Sequence, residues 1–202
     1  MEKIYETAYA KINLGLDVLG KRSDGYHEVR MVMQSVGLSD AVEIEEGEGL
    51  VVETDHSGLA GGPDNLAWKA AELLARCCGK IPNVHIRLNK KIFLAAGLAG
   101  GSSDAAAVMR GLSRLWQLDL TAPELEKLAA ELGSDIPFCI TGGTALAEGR
   151  GEILTELPEA PELLLVLAKP KLEVATGWVY GNFRQQKVNQ RPDIDGIIKA
   201  LE

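Results

Sequence analysis

The feature that most constrains this chain is Gly97-Leu98-Ala99-Gly100-Gly101-Ser102-Ser103, a glycine-rich run followed directly by an amphipathic helix pattern. Glycine has no Cβ, so the backbone of such a run can approach a ligand closely. The unpaired N–H groups of a helix's first turn and the positive end of the helix dipole attract anions. The run therefore predicts a phosphate-binding loop, with a plain capped turn as the alternative interpretation of this motif alone.

The spacing of the glycines separates this run from two common nucleotide-binding motifs. A P-loop reads G-x-x-x-x-G-K-[ST], and no lysine follows the glycines here. A dinucleotide fingerprint reads G-x-G-x-x-G, which the run also lacks. Ser102 and Ser103 supply hydroxyl groups for phosphate oxygens or Mg²⁺, or they cap the helix. The sequence therefore predicts a phosphate site outside the P-loop and Rossmann classes.

The hydrophobic pattern along the chain predicts an α+β fold. Residues 8–18 alternate between apolar and polar side chains, which is typical of a half-buried strand and places Lys11 and Asn13 together on its polar face. Strands and helices do not alternate one for one, which disfavours a doubly wound parallel sheet. Further strands are predicted at 29–36, 41–45, 50–54, 84–88, 138–148 and 163–168, and helices at 64–78, 105–116, 121–132, 176–184 and 193–201.

A second motif, Gly133-Ser134-Asp135-Ile136-Pro137-Phe138, contains a candidate catalytic carboxylate. Asp135 lies between a predicted helix end and a predicted strand, shortly before an X-Pro step that favours extended backbone. A carboxylate held in this way accepts a hydroxyl proton in phosphoryl transfer, or it caps a neighbouring element. A lysine such as Lys11 beside it would keep the carboxylate ionised and neutralise a transferring phosphoryl group, although a lone strand lysine is usually solvated.

The turn Asp24-Gly25-Tyr26-His27 presents an aromatic ring next to an imidazole. Ser-Asp-Gly is strong turn chemistry, so the two rings are expected at the tip of a hairpin. Such a pair stacks on a planar base and hydrogen-bonds to its edge. A surface turn without a ligand is an equally good interpretation of these residues alone.

Composition excludes several classes of function. The net charge of −8 argues against a general nucleic-acid binder, which needs a basic surface, but it permits an anionic small molecule as ligand. The three cysteines form neither a disulfide framework nor a C-x-x-C pair. The amino terminus lacks a signal pattern, and no apolar run reaches the roughly 18 residues that a membrane span requires. A cytoplasmic protein that binds neither nucleic acid nor membrane is expected.

Together these motifs resemble the GHMP kinase superfamily, whose phosphate loop has the form G-L-x-x-S-S. A-K-I-N-L-G-L, R-S-D-G-Y-H, A-G-L-A-G-G-S-S-D-A-A and L-G-S-D-I-P-F follow the order and spacing of one branch of that superfamily, and the resemblance covers residues 3–185. It implies an ATP-dependent kinase, with Mg²⁺, that phosphorylates a hydroxyl of a cytidyl-diphosphate alcohol in non-mevalonate isoprenoid biosynthesis. It also implies a GHMP kinase fold, with a ribosomal-protein-S5-like domain at 1–155 that binds ATP and the start of a ferredoxin-like domain at 156–202.

The resemblance also implies roles for individual residues. Asp135 matches the catalytic base and Lys11 its partner. On the substrate side, the resemblance implies that His27 reads the cytosine and that two tyrosines stack on it. The residues matched to this side are Asn13, Tyr26, His27, Thr176 and Tyr180. Matching the ATP side are Asn65, Lys90, Ala95, Ala96, Gly97, Leu98, Ala99, Gly100, Gly101, Ser102 and Ser103, and no residue is assigned as a metal ligand.

Two departures from the family pattern stand out. Phe93 occupies the position where the loop usually begins with proline, which we expect to be tolerated. The family's third motif, G-S-G followed by an apolar residue, is absent, so a truncated chain with exposed apolar surface and a weak tendency to form homodimers is expected. Two alternatives stay open: a catalytically silent nucleotide-binding domain, and a GHMP kinase for another small alcohol such as mevalonate or homoserine.

Overall fold

The computed structural model describes residues 3–170, 172, 174–184 and 188–202. Over these residues it contains a six-stranded sheet and six helices. The strands are β1 (Lys3–Lys21), β2 (His27–Glu46), β3 (Leu50–Thr54), β4 (Val84–Asn89), β5 (Thr144–Glu148) and β6 (Ile153–Glu156). The helices are α1 (Leu66–Cys77), α2 (Gly100–Leu115), α3 (Ala122–Ala129), α4 (Ile136–Thr141), α5 (Thr176–Asn182) and α6 (Ile194–Leu201).

The long strand β2 organises the sheet. β1 runs antiparallel along it, and its opposite edge is shared between β4 and β5, both antiparallel. β3 pairs in parallel with β4, and β6 extends the other end through β5. Two strands predicted separately at 29–36 and 41–45 are therefore one continuous strand. The mixture of one parallel and several antiparallel pairs agrees with the predicted α+β class.

The main core lies between one face of this sheet and helices α1 to α4. Helix α2 contacts β1, β2, α1 and α4, and its Ala105, Ala106 and Ala107 are fully buried. Each large apolar side chain removed from water contributes about 1.5–3 kcal/mol to the stability of such a core. The fully buried side chains of this core include Ile44, Leu74, Ile86, Met109 and Leu112.

A register shift in β1 changes the environment of Lys11. The pairing of β1 with β2 is irregular between Tyr9 and Lys11. Because the alternation of side chains fails at such a point, Ala10 and Lys11 are both buried, at 0% and 5% exposure. The prediction that Lys11 lies beside Asn13 is confirmed. Unlike most lone lysines on a strand, Lys11 is buried and not solvated.

The segment after α3 is where strand prediction fails. Residues 136–141 form helix α4 instead of the start of a strand, with Pro137 in the first turn, where a missing N–H costs no hydrogen bond. The strand predicted at 163–168 has no regular structure; its Leu164 and Val166 are almost fully exposed. The capping box of α3 is confirmed at Thr121 and Glu124.

Helix α6 packs back against the sheet. Ile194 is buried there, and ion pairs join Arg30 to Asp195 and Arg191 to Asp17, both at 2.7 Å. Within the described ranges, no helix is both long and apolar enough to cross a bilayer.

Candidate active site

Residues from all four sequence motifs line one cleft of about 1250 Å³. Its lining includes the glycine-rich loop, the turn before β2, α5, and residues 167–170, 172 and 174 before α5. Lys11 and Asp135 lie on the cleft as well. The predicted residues that line it are Lys11, Asn13, Tyr26, His27, Ala95, Ala96, Gly97, Leu98, Ser102, Asp135, Thr176 and Tyr180.

The glycine-rich loop has the backbone geometry of an anion site. Ala95, Gly97 and Ala99 have positive φ angles of 50°, 71° and 58°, while the residues between them do not. Left-handed residues that alternate with right-handed ones are typical of backbone concavities whose successive N–H groups bind anions. A left-handed conformation costs about 1–2 kcal/mol at each alanine, so the rest of the fold must hold the loop in place.

The start of α2 leaves backbone donors available beside this concavity. Ala99 precedes the helix in a left-handed conformation, and no side chain among the described residues caps the helix. The bond from Ser103 N to Ala99 O, at 2.8 Å, is where the intrahelical hydrogen bonds begin. The N–H groups of residues 100–102 therefore lack a partner within the helix. Gly100, Gly101, Ser102 and Ser103, which were predicted to precede the helix, form its first turn.

Strand β1 is hydrogen-bonded to the loop and to the first turn of α2. The Lys11 N–H donates to Leu98 O at 3.1 Å, and Ser103 Oγ donates to Tyr9 O at 2.6 Å. The strand that carries Lys11 is thus bonded directly to the loop. A shift of either element would move the other.

A buried charge cluster lies under the loop, and sequence reasoning missed it. The Lys90 ammonium contacts the carboxylates of Asp40 and Asp104, and all three side chains are at most 1% exposed. Asp40 also accepts the N–H groups of Lys91 and, at 2.8 Å, Ile92. Burial raises the pKa of Asp104 to about 7, against the opposing effect of the Lys90 ammonium. The cluster joins β2 and α2 to Lys90, the residue that follows β4.

Six residues assigned to ATP do not line the cleft: Ala99, Gly100, Gly101 and Ser103 around the start of α2, and the more distant Asn65 and Lys90. Asn65 caps α1: its Oδ1 accepts Ala67 N at 2.9 Å, and its Nδ2 donates to Ala60 O at 2.8 Å. The Lys90 ammonium is held by the charge cluster. Their side chains already have partners within the protein, so their predicted contact with nucleotide stays a prediction.

Asp135 and Lys11 form an ion pair at the cleft. The Lys11 ammonium lies 3.6 Å from Asp135 Oδ2 and donates to Asn13 Oδ1 at 3.3 Å. The Lys11 side chain is 6% exposed, whereas that of Asp135 is 34% exposed. Asp135 occupies the residue before α4, whose Ile136 and Pro137 are buried, and its side chain makes no capping hydrogen bond. A reachable carboxylate beside a sheltered cation is able to take a proton from a bound hydroxyl.

The thiol of Cys139 offers no second nucleophile near this pair. Burial raises the pKa of Cys139 to about 11, so the group stays a neutral thiol near pH 7. Its sulfur lies 3.5 Å from Ser103 Oγ.

Aromatic rings line another part of the cleft, here called the aromatic end: Tyr26, His27, Tyr180 and Phe183. The rings of His27 and Tyr180 are 5.3 Å apart, and Phe183, which sequence reasoning missed, meets His27 edge-on at 6.4 Å. Burial raises the pKa of Tyr180, and the Asp135 carboxylate adds to the effect, so the phenol stays protonated. Tyr26 is 53% exposed, and its N–H donates to Asp24 Oδ1 at 3.1 Å. A planar ligand would find rings on two elements, the turn and α5.

Positive charge dominates the cleft although the chain as a whole is acidic. This local excess favours an anionic ligand. The lining cations are Lys11, Lys21, Arg150 and Lys169, and the lining carboxylates are Asp24 and Asp135. In the part of the chain that the structure describes, no group of three or more His, Cys, Asp or Glu side chains is arranged to hold a metal ion.

The fold and the glycine-rich loop before α2 agree with the class of GHMP kinases. Residues 65–143 match the family described as GHMP kinases N terminal domain. A solved homoserine kinase from Cytophaga hutchinsonii has the same fold at 17% identity, with a TM-score of 0.64 over 97% of this chain and 67% of that one.

Closer similarity identifies the branch. A 4-diphosphocytidyl-2-C-methyl-D-erythritol kinase from Acetivibrio thermocellus is 48% identical over 202 residues, which is 100% of this chain and 71% of the relative. A crystal structure of 4-(cytidine 5'-diphospho)-2C-methyl-D-erythritol kinase matches with a TM-score of 0.78 and 35% identity, over 98% of this chain and 71% of that one. The chain belongs to the 4-diphosphocytidyl-2-C-methyl-D-erythritol kinase family. The predicted superfamily, α+β fold and class of ATP-dependent kinase are confirmed.

Proposed function

We propose that this chain transfers the γ-phosphoryl group of ATP to the 2-hydroxyl of 4-diphosphocytidyl-2-C-methyl-D-erythritol, a step of non-mevalonate isoprenoid biosynthesis. The observation that carries the proposal is the shared cleft, which the phosphate loop, the Asp135–Lys11 pair and the aromatic end all line. The names of its relatives support the same activity.

The backbone around Gly97 and the start of α2 binds the triphosphate. The N–H groups of residues 100–102 donate to phosphate oxygens, and the hydroxyl of Ser102, which lines the cleft, adds a further donor. Asn65 and Lys90 are assigned to the nucleotide side by the family resemblance alone, because their side chains and N–H groups already have partners within the protein. The loop thereby fixes the γ-phosphorus opposite Asp135.

The transfer is a single displacement. Asp135 accepts the proton of the 2-hydroxyl while that oxygen attacks the γ-phosphorus, and the bond to the bridging oxygen breaks to release ADP. Lys11 offsets the negative charge on the phosphoryl group during transfer. The buried position of Lys11 strengthens this effect, because water screens it little.

The donors on the cleft fit a Mg²⁺ ion that arrives with ATP. Mg²⁺ keeps several waters and commonly binds substrate phosphates with one or two protein oxygens. Ser102, whose hydroxyl lines the cleft, would supply such an oxygen. When bound, the ion neutralises charge on the β- and γ-phosphates.

The aromatic end binds the cytosine. His27 hydrogen-bonds to the edge of the base, while Tyr26 and Tyr180 provide stacking surfaces. Asn13 and Thr176 contact the rest of the substrate from β1 and α5. Residues 1–155 form the ATP-binding domain in this proposal, and residues 156–202 begin a second one.

Product analysis tests the proposed function. The chain is incubated with ATP, Mg²⁺ and, in separate reactions, the cytidyl-erythritol substrate, mevalonate or homoserine, and products are followed by ³¹P NMR. We expect a new phosphomonoester only with the cytidyl substrate, because the other alcohols have no base for the aromatic end. Transfer to mevalonate or homoserine at an equal rate would assign a different GHMP kinase. ATP binding without transfer to any acceptor would assign a silent nucleotide-binding domain.

A further inference from the structure

Arg150 lies in the turn between β5 and β6, and its role is not explained by the phosphate chemistry. Its guanidinium carbon is 4.9 Å from the centroid of the Tyr26 ring, a distance at which a cation is attracted to an aromatic face. The Arg150 side chain is 25% exposed and lines the cleft.

The turn holds the guanidinium in place. Arg150 Nε donates to Glu152 Oε1 at 3.2 Å, and Arg150 N donates to Glu152 Oε2 at 2.6 Å. Both carboxylate oxygens of Glu152 are thus used to fix one residue. A guanidinium held by its own turn loses little further freedom when it contacts a ring.

Tyr26, in contrast, needs an external support. Its backbone is fixed by the turn, since its N–H donates to Asp24 and its carbonyl accepts Arg22 N at 2.8 Å. Tyr26 is nevertheless 53% exposed, so little protein surrounds its side chain. Arg150 lies over the ring, and both residues line the cleft.

We propose that Arg150 is a positioning residue for the base of the substrate, holding the Tyr26 ring in the orientation that stacks on cytosine. This inference rests on the proposed function, because it assigns a role in the substrate end of the same cleft. It acts through Tyr26, so it predicts an effect on the cytidyl ligand and none on ATP.

The kinetic test compares Arg150→Ala and Arg150→Lys with the unsubstituted chain. We expect Arg150→Ala to raise the KM for the cytidyl substrate by about 3- to 30-fold, with kcat and the KM for ATP within about twofold. Arg150→Lys keeps a cation over the ring and should recover most of the affinity. Arg30→Ala is the matched control, since it also removes an arginine paired with a carboxylate of this hairpin, Glu148, but lies outside the cleft lining.

A double-substitution cycle with Tyr26→Leu isolates the route of the effect. If Arg150 acts through Tyr26, adding Arg150→Ala to Tyr26→Leu raises the KM no further. Fully additive losses would overturn the proposal, because Arg150 would then act on the ligand without Tyr26. An unchanged KM in Arg150→Ala, or equal losses for ATP, would overturn it as well.

Equilibrium binding of cytidine diphosphate separates this inference from the proposed function. Calorimetry with that probe needs no turnover, so it reports on Arg150 even if no acceptor is phosphorylated. Weaker binding to Arg150→Ala, recovered in Arg150→Lys, supports the inference whatever the fate of the kinase assignment. Equal binding to all three proteins would overturn the inference and leave the kinase assignment unaffected.

Discussion

The Lys11→Met substitution should lower the rate of phosphoryl transfer without loosening the substrates. A unit negative charge 3.6 Å from the Lys11 ammonium, the distance of Asp135 Oδ2, is attracted by about 4–5 kcal/mol at an effective dielectric constant of about 20, and we take this as the scale for the transferring phosphoryl group. Solvent reaches the cleft, so we take about half of this, about 2–3 kcal/mol, as the support that the phosphoryl group loses in the transition state. That corresponds to a fall in kcat of about 30- to 150-fold.

The same substitution should leave both KM values within about threefold, because an interaction made only in the transition state affects kcat. Methionine keeps the Lys11 N–H bond to Leu98 O, so the loop stays attached to β1. The assay is ADP release at saturating ATP and alcohol, with Lys91→Met as control, an exposed lysine beside the loop. A rise of tenfold or more, roughly, in the KM for ATP with kcat unchanged would refute the reasoning, since Lys11 would then be a ground-state contact.

Three further predictions concern the loop, the buried cluster and the base. Gly100→Ala brings a Cβ to 3.0 Å from Ile92 Cγ2, so it should lower the free energy of unfolding by about 1 kcal/mol and raise the KM for ATP. Gly101→Ala is the control, because its Cβ would lie 3.5 Å from the nearest neighbour and should change neither quantity. Thermal melts measure the first effect and steady-state kinetics the second. Because the folded-state pKa of Asp104 is raised to about 7, the folded chain keeps a proton that the unfolded chain releases near its ordinary pKa of 3.8, so stability from this group falls as pH rises between those values. Urea unfolding should therefore show a flatter pH dependence for Asp104→Asn, and an unchanged profile would contradict the assignment. His27→Ala should raise the KM for the cytidyl substrate by about tenfold or more while the KM for ATP stays within about twofold, and equal losses would reject a role in reading cytosine.

Local patterns predicted the elements whose side chains face one neighbour. Alternation located β1 and β4, and the capping box located α3, because these signals arise within a few residues. The register shift at Lys11 was beyond such reasoning, since it depends on how β1 pairs with a strand more than twenty residues away. Helix α4 was mistaken for a strand because a helix of six residues is too short to show its period.

The site shows the same division between local and long-range information. The motifs placed Lys11 and Asp135 as partners, and the structure brings them to 3.6 Å. The left-handed backbone at Ala95 and Ala99 carries no sequence signal, because alanine rarely adopts it. The contact of Arg150 with Tyr26 joins residues far apart in sequence, and an isolated arginine in a turn gives no reason to look for a ring above it.

The central claim is that backbone amides at the start of α2 hold ATP while Asp135 deprotonates the acceptor alcohol. Asp135→Asn separates the two roles: single-turnover transfer and calorimetric binding of an ATP analogue are measured on the same variant. The account predicts that the transfer rate falls by about 10²- to 10⁴-fold while the affinity for the nucleotide stays within about threefold. A variant that keeps its transfer rate would contradict the account.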